Sequence, residues 1–299
     1  MTAPPMDTRR GIIAMCLSMV TFIVNDAMVK LASERLPMDQ IVFIRGIFAS
    51  LILLAWLSIG QPWVLRFIRH RGMVRVGWRS VLDALSTFTY LWGLFHLPLP
   101  NISAINLSSP LMVTVLAIFF LGEKVAWRRW SAIIVGLIGV MMIVQPSSDA
   151  FTWFSVVAVA ATVLGAVRDV MTRRIAHEIP SILVTFATAV VVAAVAGISV
   201  AATGWTPVAV SDLLLLAGAS VFLIGGYHFI IVAMRVAETS IVSPFRYTAI
   251  LWAIFLGYVL WGDVPNRLAL AGIVVLVASG LYLMHRERLA RLKAKAADA

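Results

Sequence analysis

Six ionisable side chains stand inside long apolar stretches of this chain: Asp26, Arg45, Asp83, Arg168, Asp169 and Arg246. An ionisable group at bilayer depth is costly unless it is paired or faces water, so each marks an internal ion pair or a wet path for a charged solute. Asn25, Asn106, His228, Tyr90, Tyr227, Tyr247 and Trp252 share those stretches. The chemistry within their reach is recognition of a small charged molecule. A guanidinium fork binds a carboxylate bidentately, a carboxylate holds a cation or a proton, and an aromatic face takes a ring or a cationic group.

Arg246 is the most specific candidate for contact with a solute. Pro244 interrupts backbone hydrogen bonding early in its apolar run, and Arg246-Tyr247 follows at once. Tyr247 or Trp252 would supply the aromatic face; the competing role for Arg246 is an ion pair with Asp83 or Asp169. Asn106 falls opposite Arg246 when Gly122-Glu123 is laid on Gly262-Asp263. Asp83, Ser86, Thr87 and Tyr90 recur at helical spacing and predict a wet face. Tyr227-His228 follows Gly225-Gly226, whose missing side chains would admit a neighbouring helix or a ligand, and His228 is a hydrogen-bonded structural group or a proton sensor.

Asp26 and Asp169 each precede a cation by four positions, Lys30 and Arg173. Each pair shares a helix face and predicts a local ion pair, placed near opposite membrane surfaces. With Arg168 they form a second candidate group, for gating or for proton coupling. Arg45 is expected to be structural, reaching headgroups or neutralising an acid. Glu123 and Asp263 are expected to close their runs beside Lys124, Arg128 or Arg267.

The elements that must position these groups are membrane helices. Hydrophobic residues make up 61% of the 299 and charged residues 13%, with mean hydropathy +0.97. Ten runs have the length and character of spans: 11-31, 41-60, 77-96, 102-121, 129-146, 153-173, 181-202, 212-234, 241-261 and 267-284. Alternating patterns of barrel strands are absent, so the expected fold is an all-α membrane protein. Residues 1-10 are too short and polar for a signal sequence, so the first helix is expected to remain. Of 24 lysines and arginines, 18 fall at the ends and alternate loops that share one side, which places both termini in the cytoplasm. The net charge of +10 follows from that bias and from anionic lipid, and no nucleic-acid partner is expected.

The runs repeat. Asp26-x-Met28-x-Lys30…Leu36-Pro37…Phe43 recurs 143 positions later as Asp169-x-Met171-x-Arg173…Ile179-Pro180…Phe186, and Gly122-Glu123 recurs 140 positions later as Gly262-Asp263. Two halves of five helices, residues 1-146 and 147-299 with a basic tail, must enter the bilayer in opposite senses. Inverted repeats point to a transporter that works by alternating access, with its substrate between the halves near the midplane.

The doubled five-helix pattern ending in Gly-Glu or Gly-Asp resembles the EamA branch of the drug/metabolite transporter superfamily over about residues 11-285. Asn25-Asp26-Ala27 with Lys30, Phe43-x-Arg45, the segment 118-123 and Ser243-Pro244-Phe245-Arg246-Tyr247 look similar to S-adenosylmethionine-uptake and riboflavin-uptake members. The resemblance implies a carrier of a small organic metabolite, in either direction, so export of drugs or metabolites is its alternative. Asp263 departs from the glutamate of the pattern, and Ala132 stands where the other half has Gly272.

A membrane-embedded enzyme would need a catalytic constellation, and none is present. Histidines at 70, 96, 177, 228 and 285 lack metal-ligand spacing, and no cofactor is implied. A channel would need a filter or a constriction ring, which inverted halves do not favour. Arg246, the carboxylates and the rings together suit an amino-acid-like zwitterion carried across the cytoplasmic membrane. Protons and a second copy of the chain, through Gly136, Gly139, Gly272 and Gly280, are partners the sequence leaves open. The lone Cys16 excludes an intramolecular disulfide.

Overall fold

Pro37 and Pro180 explain why the two halves share a signature: each lacks an amide proton and stands directly before a helix, Met38–Gly60 or Ser181–Thr203. The structure, a computed structural model, describes residues 7–60, 62–121, 127–145, 152–172, 179–237 and 239–297. Among them are twelve α-helices and no strand. The helices are α1 Thr8–Ala32, α2 Met38–Gly60, α3 Met73–His96, α4 Leu99–Asn106, α5 Ser109–Leu121, α6 Trp127–Val144, α7 Trp153–Thr172, α8 Ser181–Thr203, α9 Val210–Val236, α10 Thr239–Val242, α11 Thr248–Trp261 and α12 Arg267–Ala297.

Over the described residues each predicted run is helical to within a residue or two of its ends, with two departures. The run 102-121 divides into α4 and α5 at the turn Leu107–Ser108, just before Pro110. The run 241-261 divides into α10, a 3-10 turn over Ser243–Tyr247 and α11. Proline removes a helical hydrogen bond and crowds the preceding turn, so each interruption follows from the sequence. Eight helical segments among the described residues are long and apolar enough to cross a membrane. The apolar helix Trp130–Val144 is shorter, and α3 carries Arg75, Arg79 and Asp83 in its first half.

Packing pairs the halves. α1 lies against α9, α3 against α7, α2 against α8 and α6 against α12, while α4 and α5 meet α7 and α11 meets α1 and α4. Ser18 Oγ donates to the Gly226 carbonyl at 2.8 Å, and Ser86 Oγ donates to the Ala161 carbonyl at 3.2 Å. Ser18 and Ala161 are 143 positions apart, and Ser86 and Gly226 are 140 apart, the same offsets as the sequence signatures. Where α6 and α12 cross, a Cβ on Gly139 would meet the Gly272 carbonyl oxygen at 2.9 Å, and one on Gly272 would meet that of Gly139 at 2.7 Å. These two glycines serve close packing within one chain. Gly262, in the left-handed region at φ 70°, ends α11, and its neighbour Asp263 donates its amide proton to Gly257. Leu51, Ile59, Leu85, Ile198, Leu251 and Phe255 are exposed, as a surface solvated by lipid requires.

Candidate functional site

α3 contributes to two polar clusters within the apolar core. Asp83 accepts an ion pair from Arg168 Nη1, while Arg168 Nε and Nη2 reach Asp169 Oδ1 at 3.0 and 2.8 Å. Arg79, one turn before Asp83, lies 3.7 Å from its other oxygen and donates to Thr188 Oγ1 at 2.6 Å and to Thr172 Oγ1 at 3.2 Å. Thr188 also meets Ser80 at 3.0 Å. The cluster therefore ties α3 to α7 and α8.

The second cluster is centred on Asp26. Its carboxylate accepts from Asn25 Nδ2 at 2.9 Å and from the Tyr90 hydroxyl at 2.7 Å, and Arg45 Nη1 donates to Asn25 Oδ1 at 3.4 Å. The expected pairing of Asp26 with Lys30 is not formed. Lys30 instead donates to the carbonyl of Leu97 and stands 5.0 Å from the Trp261 ring centroid. Leu97 caps the C-terminus of α3, where carbonyls lack helical partners, so a long flexible cation finds an acceptor there while tyrosine serves the carboxylate. Arg173, the other expected partner, lies outside the described residues, as do Gly122, Glu123 and Lys124. Asp83 and Tyr90 are seven positions apart on α3, so the clusters are separated by about 10 Å along it.

Between the clusters is a cavity of about 120 Å³ bounded by α2 and α3 on one side and by α8 and α9 on the other. Its polar lining is Arg45, Arg79, Asp83, Thr87, Thr185, Thr188 and Tyr227, and Leu53, Val192 and Ile224 are among its apolar walls. Tyr227 is held edge-on by Phe22, with centroids 5.2 Å apart. Of the predicted wet face, Asp83 and Thr87 line the cavity, Ser86 ties α3 to α7, and Tyr90 joins the Asp26 cluster.

The other predicted residues divide between two settings. Asn106 ends α4 at its break, and Arg246 lies in the 3-10 turn before α11, so both occupy helix discontinuities and both are exposed. Arg246 feels the charge of Asp169 and Arg168, yet among the described residues it makes no ion pair with Asp83 or Asp169. Tyr247 is outside the cavity lining: it is buried, its hydroxyl has no hydrogen-bond partner among the described residues, and its ring occupies the place a side chain at Gly280 would need. Trp252 is 39% exposed on the stripe that carries Leu251, Phe255 and Tyr258, and it packs against Phe255. His228 is exposed beside Trp56, apart from the cavity lining. No cluster of His, Cys, Asp or Glu able to hold a metal is found among the described residues.

Arg79, Thr185 and Thr188 enter the site without having been singled out from the sequence. The position of Arg79 in the arginine-rich stretch 66–79 reads, from sequence alone, as part of the basic bias of the cytoplasmic side. Thr188 had a usable signal, since it stands 143 positions after Arg45, the offset that relates Asp26 to Asp169.

The EamA-like transporter family model matches the chain twice, over residues 9–145 and 152–285. An S-adenosylmethionine uptake transporter of Rickettsia bellii is 27% identical over 286 residues, covering 93% of this chain and 94% of that one. A pseudopaline exporter of Pseudomonas aeruginosa is 27% identical over 290 residues, covering 94% and 98%. A solved protein structure superposes with TM-score 0.64 at 18% identity, covering 94% of this chain and 99% of that one, which is a likeness of fold.

Proposed function

We propose a solute-binding role for the four-helix cavity in this chain, which belongs to the EamA-like transporter family. The chain is a multi-span membrane transporter of small metabolites, and its relatives carry transporter names. In our reading it is a secondary carrier for an amino-acid-like zwitterion, working by alternating access between two inverted five-helix repeats. The observation that carries this is the cavity itself: both halves line it, and it offers guanidinium, carboxylate, hydroxyl and phenol groups. Carriers built from inverted repeats hold their solutes where the repeats meet. The paired contacts of Ser18 with Gly226 and Ser86 with Ala161 support the repeat, as does the double match of the family.

Organic ligands usually occupy roughly 300–1,000 Å³, so at about 120 Å³ the cavity must widen to admit one. Arg79, bonded across to Thr172 and Thr188, would then be a closure on the side that the arginine-rich residues 66–79 assign to the cytoplasm. On the other side Ser199 and Thr203 donate to Asp39, at 3.1 and 2.7 Å, and Gln40 exchanges two hydrogen bonds with Thr206. Breaking one set while keeping the other gives the two states such a carrier needs. Arg246 and Asn106, at the helix breaks, are placed to bend as they alternate.

Relatives named for uptake and for export share this fold, so the gradients of solute and coupling ion set the direction. Reconstituted protein should show saturable counterflow with at least one member of a panel of amino acids, S-adenosylmethionine and riboflavin, tested with and without a pH gradient. Absence of counterflow with every solute would reject the carrier reading. Cysteine labelling in a Cys16→Ala background should find residues 66–75 accessible from the cytoplasm, and labelling from outside would overturn the orientation.

A further inference from the structure

We propose that Arg45 is the residue that takes the carboxylate of the transported solute, and that Asn25 holds its guanidinium while the cavity is empty. This deepens the carrier reading and rests on it. Arg45 lies on α2 in the wall of the cavity and is only 8% exposed. A guanidinium has five N–H donors, and the hydrogen bond that Arg45 makes, at 3.4 Å to Asn25 Oδ1, is long. Asp26, Asp83, Tyr90 and Tyr227 act on it through space, but among the described residues no carboxylate lies within ion-pair distance. Its neighbours are differently placed. Arg79 is committed to Asp83, Thr172 and Thr188, and Arg168 to Asp83 and Asp169.

A buried guanidinium with idle donors beside a cavity is a site for an anion with two oxygens in one plane. The backbone under Arg45 is fixed, because Ser220 on α9 donates to its carbonyl at 3.0 Å, so the side chain can exchange partners without moving its helix. Thr188, 143 positions on, lines the same cavity from α8 with a hydroxyl in place of the guanidinium. A solute whose carboxylate sits on Arg45 therefore meets a cation in one half and hydroxyls and the Tyr227 ring in the other. That inequality gives it a single preferred orientation.

The test uses full-length protein in liposomes. Counterflow of labelled S-adenosylmethionine and of L-methionine is measured, with competition by L-methionine and by its amide, which lacks the carboxylate. Wild-type protein should favour the acid over the amide by roughly tenfold or more, as expected when a charge-assisted bidentate contact is lost. Arg45→Lys keeps the charge without the fork and should lose most of that preference, while Gly77→Ala, whose added Cβ meets nothing within 4 Å, should keep it. Retention of wild-type preference by Arg45→Lys, or of wild-type affinity by a folded Arg45→Ala, would overturn the assignment. So would equal competition by acid and amide in the wild type. If the wild type moves neither probe nor any other member of the panel, the carrier reading falls and takes this one with it.

Discussion

Asp83→Asn changes charge at nearly constant volume at the point where three helices are tied together. Asp83 is 6% exposed, accepts the ion pair of Arg168 on one oxygen and has Arg79 3.7 Å from the other. Removing one member of a buried pair costs about 3–5 kcal/mol when the survivor is left bare. Here neither survivor is bare. Arg168 keeps Asp169 through contacts at 3.0 and 2.8 Å, and Arg79 keeps Thr172 and Thr188. The expected loss is therefore smaller, about 2 kcal/mol. Arg168→Gln should cost a similar amount, because Asp83 retains only the more distant Arg79. The double variant removes opposite charges together, so it should be more stable than the two losses added, by about 1–2 kcal/mol of coupling. Thermal unfolding in detergent reads this directly, at about 2–4 °C per kcal/mol for a chain of this order of size. Shifts that add to within about 1 °C would show that Asp83 and Arg168 are not partners and would refute the cluster. Transport is expected to fail in Asp83→Asn, because a charged wall of the cavity is lost even where the fold survives.

Gly272→Ala should lower stability by about 1–3 kcal/mol, since its Cβ would meet the Gly139 carbonyl oxygen at 2.7 Å and two packed backbones yield poorly. Gly77→Ala, with nothing within 4 Å, is the control and should be neutral or mildly stabilising in the same thermal assay. Tyr247→Phe removes a buried hydroxyl without a hydrogen-bond partner among the described residues and should not lower the unfolding temperature; a fall of several degrees would mean that the hydroxyl is bonded. Trp252→Ala, on the exposed stripe of α11, should leave the affinity for transported solute unchanged, and a tenfold loss would place that ring in the pathway.

Residue spacing carried the architecture because bilayer thickness and helical rise admit few alternatives. The apolar runs became helices, Pro37 and Pro180 mark helix starts, and Gly262 ends α11 as its missing side chain permits. Spacing also identified the inward face of α3, where Asp83, Ser86, Thr87 and Tyr90 all reach either the cavity or another helix. It could not choose partners. Asp26 and Lys30 share a face by the i,i+4 rule, but such a pair is worth only a few tenths of a kcal/mol and yields to any better acceptor or donor that tertiary packing supplies. Tyr90, 64 positions away, and the carbonyl of Leu97 supply them.

The same limit explains why Arg45 and Arg246 changed places in importance. Pro244 draws attention to Arg246 because a broken helix is visible in one dimension, whereas the long stem of Arg45 looked suited to reaching headgroups. What distinguishes Arg45 is that Asp26 is engaged by Asn25 and Tyr90, and Asp83 by Arg168 and Arg79, so its guanidinium remains under-used beside a cavity. That property belongs to the neighbours, which come from α1, α3 and α7. The duplication offered a route to it all the same. At an offset of 143, Asn25 corresponds to Arg168, Asp26 to Asp169 and Arg45 to Thr188. The second half thus places a guanidinium directly before its aspartate, and the first half places one a helix away, on α2. Position 168 is consumed in holding α7 to α3, while position 45 keeps donors in reserve. Under the proposed role of Arg45, divergence at these three pairs is enough to make one half a brace and the other a binding surface.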